Sequence, residues 1–108
     1  MWSLENKLAI IYGIASSRDG VIRYVGQTCK GLSGRFRAHM FNARHGCNNY
    51  LYKWIRHELD DGFSVFPFEI ESDAEYNSAE TRWIAWYKRH GAHLVNLTDG
   101  GRGNNGYK

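Results

Sequence analysis

Two apolar runs near the start of the chain predict a β-hairpin. Nearly every residue from 8 to 15 is apolar, and several are β-branched, which is typical of a strand covered on both faces. A turn signal at residues 17–20 contains Asp19-Gly20, and a second apolar run over residues 21–26 follows it. We therefore expect two antiparallel strands, with the first at the centre of the sheet.

The helical period of apolar residues predicts three helices after the hairpin. The first is expected over residues 34–45, with Ser33 as its N-cap. The second should begin near Asn48 or Asn49 and end at Asp61-Gly62. The third is expected over residues 79–90, with Asn77 or Ser78 as its N-cap.

Between the second and third helices, residues 63–70 predict another strand. Pro67 removes a backbone donor there, which favours an edge position or a bulge. The order ββ-α-α-β-α predicts an α/β (α+β) fold in which helices pack on a small sheet. We expect one domain over residues 1–101, followed by a flexible Gly/Asn-rich tail over residues 102–108.

The composition indicates that the chain can form a folded core, and it favours one cellular compartment. Apolar residues make up 43% and aromatic residues 15% of the 108 residues, so enough material is present to fold. No run of 18 apolar residues and no secretory signal occur, which favours a soluble, cytoplasmic protein without a membrane partner. Cys29 and Cys47 do not form a metal knuckle, and we expect two reduced thiols.

Charge favours a polyanionic partner. The formal net charge is +3, and the stretch before Glu58 is rich in basic residues and contains no acid over residues 30–57. We expect this stretch to form a local positive surface that contacts DNA phosphates. Its members are Lys30, Arg35, Arg37, Arg44, Lys53 and Arg56.

Glu80 stands among the apolar residues of the third helix. The predicted buried stripe contains Ala79, Trp83, Ile84 and Tyr87, and Glu80 falls inside it. A buried carboxylate needs a cation, a hydrogen-bond network or a metal. The structural alternatives are a salt bridge to Arg82 or another basic residue, and a helix rotated so that Glu80 faces solvent.

Two pairs of residues complete the candidate chemistry. Arg35 and His39 are four residues apart, so they share a helix face that can meet a phosphate, or simply form a solvated basic face. Tyr12 and Tyr24 share a sheet face if paired residue numbers sum to an even value. They are then either site residues or space-filling tyrosines, and Gly13 and Gly26 leave room beside them for a backbone or a ligand.

In chain order, five separated motifs resemble those of the GIY-YIG endonucleases, and the resemblance runs from residue 8 to residue 101. The glycine that normally precedes the first tyrosine is absent, one follows it instead, and valine replaces isoleucine in the second motif. The motifs are Ile11-Tyr12-Gly13, Tyr24-Val25-Gly26, Gly34-Arg35-Phe36-Arg37-Ala38-His39, Ala79-Glu80-Thr81-Arg82-Trp83-Ile84 and Asn96-Leu97-Thr98-Asp99-Gly100-Gly101.

The resemblance implies a three-stranded antiparallel sheet flanked by about three helices and a metal-dependent endonuclease that hydrolyses DNA phosphodiesters. Glu80 resembles the carboxylate that holds Mg²⁺ or Mn²⁺, and no small-molecule cofactor is implied. Arg35, preferred over Arg37 because His39 follows it by one turn, resembles the arginine that stabilises the phosphate. Tyr12 resembles the tyrosine proposed as general base, whose ordinary pKa near 10 must be lowered for that role.

The remaining roles also follow from the resemblance. Tyr24 resembles the tyrosine that orders water and phosphate, His39 a helper of Arg35, and Asn96 a brace of the centre. The segment after Asn96 resembles phage or mobile-element members, in which a linker joins the catalytic domain to DNA-reading modules. The rival hypotheses are a catalytically silent DNA-binding module of the same fold and a protein-interaction domain, and the sequence leaves the oligomeric state open.

Overall fold

The computed structural model describes residues 8–96, apart from the side chains of residues 76 and 77. The predicted domain boundary at residue 101, the tail over residues 102–108 and the last five residues of the final motif lie outside this range. The described elements are β1 (Leu8–Ser16), β2 (Ile22–Thr28), α1 (Leu32–Arg44), α2 (Tyr50–Asp60), β3 (Val65–Glu75) and α3 (Tyr76–Arg89). The predicted order and the α+β class are confirmed.

The three strands form one antiparallel sheet in the order β2-β1-β3. β1 is therefore the central strand, as its continuous apolar run predicted. β3 is an edge strand, which confirms the first of the two alternatives predicted from Pro67. Pro67 pairs in register with Ile14, and the register shifts between β1 and β3 lie further along the strands, near Ile11. β3 continues to Glu75, beyond the predicted end at residue 70.

The sheet is covered on both faces, because successive side chains of β1 point in opposite directions. Tyr12 and Ile14 pack towards α1 and α2, whereas Ile11 packs towards α3. The first core cluster contains Tyr12, Ile14, Ala43, Leu51, Tyr52, Ile55 and Val65. The second contains Ile11, Ile22, Val25, Ala74, Ala79 and Ile84.

The N-terminal ends of the helices were predicted correctly only for α2. The Asn49 side chain accepts a hydrogen bond from the Tyr52 backbone N–H at 2.9 Å, which is an ordinary N-cap. The prediction of Ser33 as a cap was wrong, because α1 begins at Leu32 after Gly31, whose extended backbone has no side chain to offer. Asn77 and Ser78 were also wrong, because α3 begins at Tyr76, directly after β3.

A buried carboxylate joins the hairpin turn to the end of α2. Glu58 is 4% exposed and accepts hydrogen bonds from Ser16 Oγ at 2.7 Å and Arg18 Nε at 2.9 Å. Arg18 also pairs with Asp61 at 2.6 Å. The hydrogen bond from Arg18 is the main reason why the pKa of Glu58 is lowered. The sequence analysis missed this pairing, which is structural.

Two expectations from composition can be compared with the fold. Cys29 and Cys47 are free, as predicted, and both are exposed. Within residues 8–96, no helix has the length and apolar character needed to cross a membrane.

Candidate active site

Tyr12 and Tyr24 lie on the same face of the sheet. Tyr12 pairs with Gly26 and Tyr24 pairs with Ile14, so the paired residue numbers sum to an even value, as predicted. The register shifts only between Ile14 and Ala15, beyond both tyrosine pairs. The tyrosine rings are tilted against each other with centroids 6.2 Å apart. Tyr12 is fully buried and Tyr24 is half-buried. The hairpin therefore brings two phenol groups together at one place.

Gly26 lets the two tyrosine rings pack closely. A Cβ atom at Gly26 would lie 2.6 Å from Tyr12 Oη and 2.7 Å from Tyr24 Cε2. The expectation that the glycines leave open space beside the tyrosines was wrong. The rings themselves fill the space at Gly26, and the space at Gly13 is filled on the opposite face by Ile22 and Phe68.

His39 contacts the Tyr12 hydroxyl from α1. It is 1% exposed, and its Nε2 atom lies 2.7 Å from Tyr12 Oη. Its Nδ1 atom lies 3.0 Å from Tyr52 Oη. Tyr52 Oη in turn accepts a hydrogen bond from Asn42 Nδ2 at 3.3 Å. A chain of hydrogen bonds thus runs from Asn42 on α1 through Tyr52 and His39 to Tyr12.

Tyr52 belongs to the site, although sequence reasoning did not single it out. It lies on α2 and is 8% exposed. The signal that could have found it is its spacing. Tyr52 lies three residues before Ile55 and seven before Leu59, so all three share one side of the helix. A tyrosine on a buried stripe needs a partner for its hydroxyl.

Burial keeps both Tyr12 and His39 neutral at neutral pH. It raises the pKa of Tyr12 to about 12, although the positive charge of Arg35 opposes the shift. Burial also lowers the pKa of His39 to about 4, and here the charge of Arg35 acts in the same direction. The Tyr12–His39 contact is therefore a hydrogen bond between neutral groups.

Arg35 and Glu80 bring opposite charges to the tyrosines. Arg35 is solvent-exposed in the first turn of α1, yet its charge lowers the pKa of the Tyr12 hydroxyl. Glu80 is 8% exposed on α3, and its negative charge contributes to raising the pKa of both Tyr12 and Tyr24. Charges of both signs therefore act on the Tyr12 hydroxyl.

The two structural alternatives for Glu80 can now be compared with the fold. Glu80 does not face solvent, because it is nearly buried beside Ala79. Arg82 pairs with Glu71 at 3.4 Å on β3, and Trp83 Nε1 donates to the same Glu71 oxygen at 2.7 Å. The prediction that Glu80 faces the interior is confirmed.

Asn96 holds the second strand of the hairpin. Its Oδ1 atom accepts a hydrogen bond from Val25 N at 3.1 Å, and its Nδ2 atom donates to Val25 O at 2.8 Å. The neighbouring Val95 N donates to Arg23 O at 2.6 Å. Asn96 thus fixes the backbone between Tyr24 and Gly26, which suits a bracing residue.

The basic residues predicted to contact DNA are not equivalent. Arg56 differs because its Nη1 donates to Ala43 O at 2.8 Å and to Cys47 O at 3.0 Å. Arg56 therefore joins α2 to the end of α1, and its contact with DNA stays a prediction. Apart from Arg35, the exposed members are Lys30, Arg37, Arg44 and Lys53.

The donor chemistry fits a metal held by few protein ligands. No group of three or more His, Cys, Asp or Glu side chains within the described part of the chain could hold a metal ion. Glu80 offers a hard carboxylate, and its negative charge acts on both Tyr12 and Tyr24. Mg²⁺ commonly binds through one or two carboxylates and keeps several waters, so a single carboxylate is compatible with it.

A three-stranded antiparallel sheet flanked by helices thus carries the tyrosine, arginine, histidine and glutamate side chains of the sequence motifs. The family model described as the GIY-YIG catalytic domain matches residues 8–93. The chain therefore belongs to the GIY-YIG family, and the resemblance given by its motifs is confirmed. Searches of curated proteins and of solved structures gave no significant match.

Proposed function

We propose that this protein is a metal-dependent endonuclease that hydrolyses phosphodiester bonds of DNA. The observation that carries the proposal is the position of the Tyr12 hydroxyl, which bonds His39 and experiences the charges of both Arg35 and Glu80. A base, a cation and a carboxylate around one point are the groups that phosphodiester hydrolysis needs.

In this proposal Tyr12 acts as the general base. Burial keeps Tyr12 neutral in the free protein, so this role requires its pKa to fall when DNA and the metal bind, and the positive charge of Arg35 acts in that direction. The phenolate then takes one proton from the attacking water while the water oxygen bonds to phosphorus. The bond from phosphorus to the leaving sugar oxygen breaks, and this oxygen takes a proton from solvent.

Arg35 stabilises the phosphate as negative charge develops on its oxygens. Arg35 is solvent-exposed as a residue, so a phosphate can approach it, and arginine stays charged throughout the reaction. Glu80 would hold Mg²⁺ or Mn²⁺, which when bound supplies electrostatic stabilisation of the phosphate and lowers the pKa of nearby groups. Tyr24 orders the phosphate and water, and Asn96 holds the strand that carries Tyr24.

The exposed basic residues position DNA without selecting a sequence. Lys30, Arg37, Arg44 and Lys53 can contact phosphates, which are the same at every base pair. We therefore expect weak sequence preference from the described part of the chain.

The test is nicking of supercoiled plasmid DNA by the purified full chain with Mg²⁺ or Mn²⁺ and with EDTA. Glu80→Ala and Glu80→Gln should abolish metal-dependent nicking, because both remove the carboxylate charge. Asp60→Asn is the matched control, since Asp60 is an exposed carboxylate at the end of α2. It should nick as the wild type does.

The possible results separate the proposal from its rival. Nicking that persists in Glu80→Ala would show that Glu80 is not the metal ligand. Salt-sensitive DNA binding without any cleavage by the wild type would support the catalytically silent DNA-binding module.

A further inference from the structure

Tyr52 Oη and His39 Nδ1 share a hydrogen bond whose direction depends on the tautomer of His39. The Tyr52 hydroxyl has one proton to donate, and two side chains of the described residues lie within hydrogen-bond distance of it. Asn42 Nδ2 is an amide nitrogen, which only donates. His39 Nδ1 is thus the acceptor available for the Tyr52 proton, at 3.0 Å.

The direction of the hydrogen bond between Tyr52 and His39 also sets the direction of the hydrogen bond between His39 and Tyr12. If Tyr52 donates to Nδ1, that nitrogen carries no proton in the neutral ring, and the proton lies on Nε2. Nε2 then donates to Tyr12 Oη across the 2.7 Å contact. The order of donation is Asn42 to Tyr52 to His39 to Tyr12.

We propose that Tyr52 is a positioning residue that holds His39 in the Nε2–H tautomer, so that His39 donates a hydrogen bond to Tyr12 Oη and does not accept the Tyr12 proton. The catalytic consequence rests on the proposed function, whereas the tautomer itself does not. In the reaction, His39 stabilises the Tyr12 phenolate by hydrogen bonding and does not act as a second base.

The surroundings of His39 also argue against its acting as a base. A His39 that accepted the Tyr12 proton would become an imidazolium inside the core and close to the charge of Arg35. Burial and Arg35 both disfavour that ion, which is why the pKa of His39 is lowered to about 4. As a neutral donor, His39 adds its hydrogen bond to the stabilisation of the Tyr12 oxygen by Arg35.

The direct test is ¹⁵N NMR of the histidine rings in the full-length protein at neutral pH, because ring nitrogen shifts distinguish the two tautomers. In the wild type we expect His39 in the Nε2–H form. Tyr52→Phe removes the donor to Nδ1 and should move His39 towards the Nδ1–H form or a mixture. Tyr50→Phe is the matched control on the same helix, because Tyr50 is exposed and lies outside the hydrogen-bond chain.

The kinetic test uses the same variants in the nicking assay. Tyr52→Phe should lower kcat by roughly 10-fold with little change in KM, which is a typical effect of losing an orienting partner. Tyr50→Phe should leave both values unchanged. Circular dichroism melts report whether Tyr52→Phe keeps the fold.

Each outcome decides a specific part of the inference. An Nδ1–H tautomer in the wild type overturns it, and this measurement needs no variant to fold. An unchanged Nε2–H tautomer in Tyr52→Phe removes Tyr52 from the role. If the wild type shows the Nε2–H tautomer but never nicks DNA, the proposed function fails while the role of Tyr52 in holding His39 stands.

Discussion

Tyr12 Oη and His39 Nε2 lie 2.7 Å apart, although the two residues are 27 positions apart in the chain. The contact joins the central strand to α1 and is buried on both sides. It therefore affects both the stability of the fold and the chemistry proposed for the site.

The protein should become less stable as the pH is lowered, because His39 is buried in its neutral form. Its pKa is about 4 in the fold and about 6.5 in an unfolded chain, so between these values the unfolded state binds more protons. Stability is therefore complete above about pH 6.5 and is lost as the pH falls towards 4, by up to about 3 kcal/mol. Urea unfolding at pH 7 and pH 4.5 measures this loss.

His39→Gln is the control for this dependence. Its glutamine does not titrate, so the difference in stability between pH 7 and pH 4.5 should be smaller than in the wild type. An equal difference in both proteins would assign the acid sensitivity to other groups, such as Glu58, whose pKa is also lowered.

Gly26→Ala should damage both the fold and the site. Its Cβ would lie 2.6 Å from Tyr12 Oη and 2.7 Å from Tyr24 Cε2, and overpacking of this kind costs about 1–3 kcal/mol. Nicking by the folded fraction should fall, because both tyrosine rings must move. Thermal unfolding and specific nicking activity, compared at a temperature where the variant is folded, measure the two effects.

Two other glycines serve as controls for Gly26. Gly13→Ala would clash with Ile22 and Phe68 on the opposite face, so it should lower stability with a smaller effect on specific activity. Gly34→Ala meets nothing within 4 Å in α1 and should be neutral or stabilising by about 0.5–1 kcal/mol. Equal activity losses in Gly26→Ala and Gly13→Ala would show that the site has no special dependence on Gly26.

Arg35→Ala should lower kcat by about 100-fold or more, which is the usual effect of removing one group that stabilises developing charge. Stability should change little, because the side chain is exposed. Arg37→Ala is the matched control, since Arg37 is exposed on the same helix. It should weaken DNA binding and leave kcat unchanged. The reverse result would make Arg37 the phosphate-stabilising residue.

The basic surface should be visible in the salt dependence of DNA binding. Replacing Lys30, Arg37, Arg44 and Lys53 with glutamine removes four positive charges, and each lost phosphate contact reduces the slope of log K against log salt by about 0.9. Fluorescence anisotropy with labelled duplex DNA over a range of salt concentrations measures the slope. A slope that does not change would place the DNA-binding surface elsewhere.

Replacing Arg56 tests whether every positive charge of the basic stretch contributes to DNA binding, or only the charges of its exposed members. Because its Nη1 donates to Ala43 O and Cys47 O, Arg56→Gln should lower the melting temperature and change the salt slope less than Arg37→Gln does. A full reduction of the slope by Arg56→Gln, without loss of stability, would return Arg56 to the DNA-contacting set.

Much of the fold was predictable because its signals are local. The continuous apolar run of β1 predicted a central strand, and Pro67 predicted an edge position or a bulge, of which the edge position is observed. The caps of α1 and α3 were not predictable in the same way. Gly31 precedes α1 without a side-chain cap, and α3 follows β3 with no intervening turn, so Ser33 and Asn77 lie inside helices.

The candidate site was predicted in its residue types and only partly in its contacts. The hairpin register placed Tyr12 and Tyr24 correctly on one sheet face, and the spacing of α3 placed Glu80 correctly in the interior. Tyr52 was missed because its role depends on packing of α2 against α1, which no local pattern reveals. Arg56 met the compositional criterion for a DNA contact, but its hydrogen bonds to carbonyl groups are set by the same packing.

The sequence by itself determined the family, the order of the elements, the central strand and the inward position of Glu80, because side-chain periodicity and motif order are properties of the chain. Tertiary structure decided which atoms meet at the Tyr12 hydroxyl and how burial changes the pKa of Tyr12 and His39. The reason is physical: desolvation and hydrogen-bond direction depend on neighbours that are distant in sequence, and only folding brings them within contact distance.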